Sequence, residues 1–284
     1  MATVALNKIN YLNLVGYIIN VLVTFFASPV FNLPDNGTIS EQYQTIITPT
    51  GFTFAIWGII FVSQLIFTIV QMLPQYRAED IVQSGVGTMY FHACIAQSVW
   101  TFVFGYKIFW LSTVVMFMIL ASLWSIVVQQ GEIGPVSVGY FWLFKFPFEI
   151  HCGWIFAAFL LNVSVTLISW GANAVLQIIV AALSLSFLVF IAVYVLIMLP
   201  SGGPNYTIPS VFVWATLGIT LELISPKDLI VTTFSGATIL SFQIISGCLS
   251  GLLLIGTVAY GIYISCCKKE SNGAAVNEST PLMA

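Results

Sequence analysis

An all-α fold, a polytopic membrane helix bundle of about eight transmembrane helices, follows from three features of the sequence. Of its 284 residues 59% are hydrophobic and only 6% charged, whereas an ordinary soluble domain is about 25% charged. Eight apolar runs recur along the chain, each near or above the roughly 20 residues that cross a hydrocarbon core of about 30 Å. Ten acids against seven bases leave a formal charge of −3 with no basic patch. The partner this composition suits is the lipid membrane, and nucleic acid is excluded.

The runs fall in order. Residues 1–10, "MATVALNKIN", form a cytosolic N-terminal segment before the first run at 11–31. That run is too long for a signal-peptide core and lacks a small-x-small cleavage site, so it is read as a retained helix. A polar loop, "NLPDNGTISEQYQTIIT" at 32–48, carries the sequon Asn36-Gly37-Thr38, a glycosylation acceptor wherever it faces lumen or exterior. The second run, 50–73, opens with "ITPTGFTFAIWGIIF", where a Pro and a Gly precede aromatics at helical spacing. Only "GYK" separates the third run, 88–105, from the fourth, 108–129. The fifth, 140–169, carries Pro147 near its start, where a first helical turn tolerates proline. Runs at 174–199, 206–223 and 236–265 complete the set.

With eight spans, Lys8, Arg77, Lys145, Lys268 and Lys269 fall on one side and Lys107 and Lys227 on the other. An excess of basic residues marks the cytosolic side, so both termini are expected in the cytosol and loop 32–48 outside it. Sequons at Asn205 and Asn277 then face the cytosol and that at Asn162 lies in the membrane, so chance accounts for those three. Residues 267–284 are polar and uncapped and read as a disordered cytosolic tail. Within the tail Glu278, Leu282 and Met283 resemble an acidic dileucine sorting signal, which directs membrane proteins to endosomes, lysosomes or vacuoles. Chance serves as well for so short a pattern.

The five cysteines have no metal-ligand spacing. Cys94, Cys152 and Cys248 lie in apolar runs and read as small packing residues. Cys266 and Cys267 precede Lys268 and Lys269 and suit either S-palmitoylation or a plain interfacial position. Gly247 and Gly251 form G-x-x-x-G in the last run, a close-packing face for the bundle first and for a homodimer second.

Three helix faces carry the candidate chemistry. Phe54, Trp57 and Phe61 share one, Gln97, Trp100 and Phe104 a second, and His151, Trp154, Ala158 and Asn162 a third. A mid-membrane amide must find a partner, so Gln97 and Asn162 face protein or ligand. The plain reading is interhelical hydrogen bonding with aromatic packing. The sharper one is an aromatic pocket with sparse polar anchors. Lys145 and Glu149, at i and i+4, suit a pair that snorkels to the interface. His92 and His151 offer two haem-iron ligands or, more simply, two satisfied core groups. The pattern Val138, Tyr140, Lys145 matches a weak sterol motif for which chance is the better account.

These motifs resemble the TspO/MBR family of tryptophan-rich sensory or translocator proteins, in its longer version. The family's Pro-x-x-W-x-F…W…LY opening of its second helix is similar to "PTGFTFAIWGIIF", with Trp57 on the second Trp, Phe61 on the Tyr, and Phe52 one residue out of register. Gln97-x-x-Trp100 with Phe104 is similar to the third-helix N-x-x-W and its aromatics. Trp154, Ala158, Leu161 and Asn162 keep the fifth-helix spacing, although Pro147 lies three residues too far upstream. The resemblance covers residues 11–169, a five-helix region, with 170–266 as three additional transmembrane helices. It implies a bundle that binds flat hydrophobic molecules, porphyrins (tetrapyrroles) or sterols, between helices, with Trp57, Gln97, Trp100 and Trp154 in the pocket and Asn162 on the same wall.

The expected function is therefore a non-enzymatic receptor or sensor for a planar hydrophobic ligand. The ligand-binding set is Phe54, Trp57, Phe61, Gln97, Trp100, His151, Trp154 and Asn162. A secondary transporter, proton-coupled through buried His or Glu, is the alternative, although no paired broken helices in two matching halves support it. A porphyrin-degrading enzyme ranks last, since no dedicated nucleophile or metal site is present.

Overall fold

A computed structural model describes residues 5–199 and 203–278, with side chains described to residue 267. The described residues are helical throughout, without strands. We number the helices α1 (Lys8–Phe31), α2 (Asn36–Gln42), α3 (Gly51–Val70), α4 (Met89–Gly105), α5 (Phe109–Ile133), α6 (Val138–Ser169), α7 (Ala174–Met198), α8 (Thr207–Glu222), α9 (Asp228–Thr233) and α10 (Gly236–Glu278). Each of the eight expected runs holds one long helix. By length and composition six can cross a membrane: α1, α3, α5, α6, α7 and α10. The count of eight spans is thus only partly met. At 17 residues α4 and at 16 residues α8 rise about 25 Å, short of a hydrocarbon core of about 30 Å. Both are held by neighbours instead, α4 by α1 and α5, and α8 by α6 and α10.

Local chemistry sets the ends. The Asn7 carboxamide accepts from the Ile9 and Asn10 amides, and Asn10 returns a bond to the Asn7 amide, which fixes the start of α1. Its end turns at Asn32, left-handed with φ 52°. Lys107 takes φ 60° in "GYK", and this one left-handed residue separates α4 from α5. Pro147 lies in the first turn of the regular α-helical part of α6, Phe146–Ser169, as expected. It follows a π turn at Phe141–Lys145 inside α6, where the loosened ladder absorbs its missing N–H. α10 continues as helix to Glu278, past residue 267. The remaining tail residues, including Leu282 and Met283 of the sorting pattern, lie outside the described residues.

α6 is the hub. It packs on α3, α5, α7 and α8, while α1, α3, α6, α5 and α4 close a ring of five helices. Phe67 of α3, Tyr90 of α4 and Phe148 of α6 meet edge to face in the core, with centroids 4.8–5.6 Å apart. α8 reaches α6 because of Gly153, where a Cβ would lie 3.0 Å from that of Val211. The outer surface is apolar: Leu22, Phe25 and Phe26 of α1, Ile59, Val62 and Ile69 of α3, Trp110 and Phe117 of α5, and Leu252 and Ile255 of α10 are exposed. Such a surface belongs in lipid. Cys94 and Cys152 are buried as expected, but Cys248 is exposed on α10, as are Cys266 and Cys267, because its helix packs mainly on α8 and presents its other face outward.

Candidate functional site

The opening stretch of α3 enters through a 3-10 turn, Gly51–Ala55. Its position is set by α8: the Thr50 amide donates to the Gly218 carbonyl at 3.1 Å, and Trp214 Nε1 donates to the Thr53 carbonyl at 2.8 Å. A Cβ at Gly218 would collide with the Thr53 side chain and lie 3.0 Å from Pro49 Cβ. α8 therefore fixes where the first aromatic face begins, and Phe54, Trp57 and Phe61 follow along it.

Above that face is a cavity of about 280 Å³. Phe54 and Trp57 of α3, Trp100 and Phe104 of α4, Met116 of α5, and Trp154, Ala158 and Asn162 of α6 line it. Indoles from three helices thus border one space. Phe54 and Trp154 meet edge to face at 5.5 Å and 87°, and Trp57 and Trp154 at 6.4 Å and 85°. Trp100 stacks on Phe104 at 4.7 Å and 18°. The Trp154 Nε1–H is buried without an acceptor among the described residues, although buried donors are nearly always paired.

Three of the expected residues do not line the cavity. Phe61 stacks under Trp57 at 5.8 Å and 30°, so it supports the wall. Gln97 is buried outside the lining, with Oε1 unpaired among the described residues. His151 lies one turn below Trp154 and meets the Trp57 ring edge to face at 5.6 Å. Its Nδ1 is 2.8 Å from Gln64 Nε2, and an amide nitrogen only donates, so Nδ1 accepts and Nε2 carries the proton. That Nε2 has no partner among the described residues. His92 is exposed on α4 while His151 is buried against α3, so the two do not form a pair of iron ligands. Among the described residues no group of three or more metal-binding side chains occurs.

Asn162 lines the cavity, but its amide is committed to protein. Oδ1 accepts from Trp100 Nε1 at 3.1 Å, while Nδ2 donates to Ser112 Oγ at 2.8 Å and to Thr113 Oγ1 at 2.7 Å. It holds Trp100 in place across the α4–α5–α6 junction.

The mouth is formed by the segment expected to be loop. α2 covers it, with Asn36, Gly37, Ser40, Glu41 and Gln44 lining the opening beside Glu222 and Lys227. Asp35 caps α2, accepting from the Thr38 amide at 2.9 Å and the Thr38 hydroxyl at 2.7 Å. These bonds, the hydroxyl first, lower its pKa below the usual aspartate value. Ile39 anchors the underside of α2 in a cluster with Phe104, Phe109 and Val165. Three polar contacts tie the cover down: Lys227 Nζ to Glu41 Oε1 at 2.7 Å, Gln44 Nε2 to Glu222 Oε1 at 2.6 Å, and Lys107 Nζ to Gln42 Oε1 at 2.8 Å. Lys107 and Lys227 thus both reach α2. Asn36 and Thr38 of the sequon are exposed there.

Sequence reasoning missed Gln64 and Tyr90, which carry the bond from His151 across the core; the Tyr90 hydroxyl donates to Gln64 Oε1 at 3.3 Å. It also missed the buried Asn10, Asn13 and Asn20 of α1. Polar residues at helical spacing inside apolar runs were the available signal in both cases.

No curated protein and no solved structure matches the chain. A family profile described as TSPO-like protein matches residues 10–246, well past residue 169 and through α8, whose carbonyl at Gly218 and carboxyl at Glu222 help to build the cavity. With most of its length matched, and with the aromatic faces that carried the resemblance lining one cavity, this membrane protein belongs to the TSPO-like family.

Proposed function

We propose that the protein is a non-enzymatic receptor or sensor that holds a flat hydrophobic ligand, a tetrapyrrole or a sterol, in the cavity under α2. The observation that carries this reading is the convergence of Trp57, Trp100 and Trp154 on one space. Apolar burial and ring stacking drive binding, and the free Trp154 Nε1–H offers one bond to a polar edge. Phe61, Gln97 and His151 act from behind the wall. At about 280 Å³ the cavity is at the small end of the usual range, about 300–1,000 Å³. A whole macrocycle therefore needs α2 displaced, which makes the ties of α2 part of the binding mechanism.

The five-helix region 11–169 supplies the walls, and region 170–266 sets the entry of α3 through Gly218 and holds the cover through Glu222 and Lys227. With five basic residues at the opposite end, the mouth faces lumen or exterior, and Asn36 there is a glycosylation site at its rim. Cys266 and Cys267, exposed on α10, are accessible for palmitoylation. The Glu278, Leu282, Met283 pattern would direct the protein to an endosomal, lysosomal or vacuolar membrane.

Titration of the purified protein with protoporphyrin, followed by its Soret band, tests the reading. Trp57→Ala and Trp154→Ala each weaken binding about tenfold, whereas Trp110→Ala, on the lipid face, leaves it unchanged. Equal affinities in all three variants reject the pocket. The transporter reading requires uptake into proteoliposomes that depends on pH and on Glu149.

A further inference from the structure

A second cavity, about 340 Å³, lies at the other end of α6, between α5, α6, the end of α7 and the start of α8. Val127, Val136, Phe141 and Leu199 give it apolar walls, and Lys145 and Glu149 also line it. Both are more than nine-tenths buried, with 8% and 5% of their surface exposed. They stand at i and i+4 on one helix, where opposite charges ordinarily meet. The Lys145 charge acts on Glu149, yet no direct ion pair joins them: the one pair among the described residues is Lys227–Glu41. Two features hold them apart. Thr207 Oγ1 donates to Glu149 Oε2 at 2.6 Å, which draws the carboxyl toward α8. Lys145 closes the π turn Phe141–Lys145, and Lys before Glu is the weaker order for such a pair. The Lys145 ammonium has no hydrogen-bond partner among the described residues.

Buried charges held apart are costly until each meets an opposite charge. An ion of one sign satisfies only one of these two. We infer that this cavity binds a zwitterion of the phosphoethanolamine kind, with its phosphate on Lys145 and its ammonium on Glu149. The apolar walls accept the chain that such a headgroup carries in a membrane lipid, and the free zwitterion has the same polar contacts. The sterol pattern does not describe this site, because Tyr140 turns to Tyr76, at 5.9 Å between ring centroids, and is absent from the lining.

Native mass spectrometry of the full chain in detergent tests the assignment, with phosphatidylethanolamine, phosphatidylglycerol and diacylglycerol of identical chains, and with free phosphoethanolamine as competitor. The wild-type protein retains phosphatidylethanolamine at least about tenfold over the other two. Lys145→Met and Glu149→Gln abolish that preference, and Trp154→Ala leaves it intact. If the lipid is not retained but free phosphoethanolamine raises the melting temperature of the wild type and of neither variant, the zwitterion is taken from solution. Equal retention of the three lipids with no response to free phosphoethanolamine overturns the inference, as does a preference that survives both substitutions. The headgroup comparison uses the unaltered protein, so it stands even if a variant misfolds.

Discussion

Asn162→Ala separates a wall that positions an indole from a residue that grips ligand. The amide makes three well-formed bonds, to Trp100, Ser112 and Thr113, at 2.7–3.1 Å. Interhelical hydrogen bonds in membrane bundles average about 0.6 kcal/mol each and reach about 1.7 kcal/mol. Truncation also removes the acceptor of the half-buried Trp100 Nε1–H. The expected loss is about 2 kcal/mol, measured as reversible unfolding in mixed detergent micelles. Trp100 keeps its stack on Phe104, so it loosens rather than leaves, and porphyrin affinity falls only about threefold to tenfold. A stability change below about 0.5 kcal/mol together with a collapse in affinity would refute the reasoning, since Asn162 would then hold ligand directly.

Three more outcomes follow from the same geometry. Gly218→Ala forces a Cβ against Thr53 and Pro49 and costs about 1–3 kcal/mol of stability; an unchanged melting temperature would show that α8 does not set the entry of α3. Lys227→Met removes a pair whose side chains are 47% and 65% exposed, so stability changes by less than about 1 kcal/mol, yet ligand release quickens, and salt mimics the effect in the wild type. For Asp35 the folded pKa is lowered, so its cap on α2 is fully present above the unfolded value of about 3.9 and is lost as pH falls through the lower folded value. Ligand release therefore accelerates below about pH 4, and Asp35→Asn flattens that acceleration; an identical profile in the variant would exclude the cap.

Much of this arrangement was legible in the sequence because a bilayer simplifies the code. Apolar length located all eight long helices, and helical spacing put Phe54 with Trp57, and Trp154 with Ala158 and Asn162, on faces that prove to line one cavity. What spacing could not give was rotation between helices. Gln97 and Trp100 are three residues apart on α4, yet Trp100 reaches the cavity and Gln97 does not, because the Asn162 bond draws the indole toward α6 while Phe104 stacks on it. The cover was hidden for a different reason. α2, "NGTISEQ", has six polar or small residues around a single Ile and is too short to form alone; the Asp35 cap, Ile39 seated in the cluster below and the contacts from Lys107, Lys227 and Glu222 make it a helix. Likewise Lys145 and Glu149 read as an ordinary pair until Thr207, 58 positions away, captures the carboxyl.

Photocrosslinking with a diazirine-bearing porphyrin, mapped by peptide mass spectrometry, asks most directly whether a flat guest sits among the three indoles. The account predicts adducts on the peptides that contain Phe54 and Trp57, Trp100 and Phe104, and Trp154 and Ala158, with loss of all three on competition by unlabelled porphyrin. Adducts concentrated instead on Trp110 and Phe117, along the lipid-facing side of α5, would contradict it.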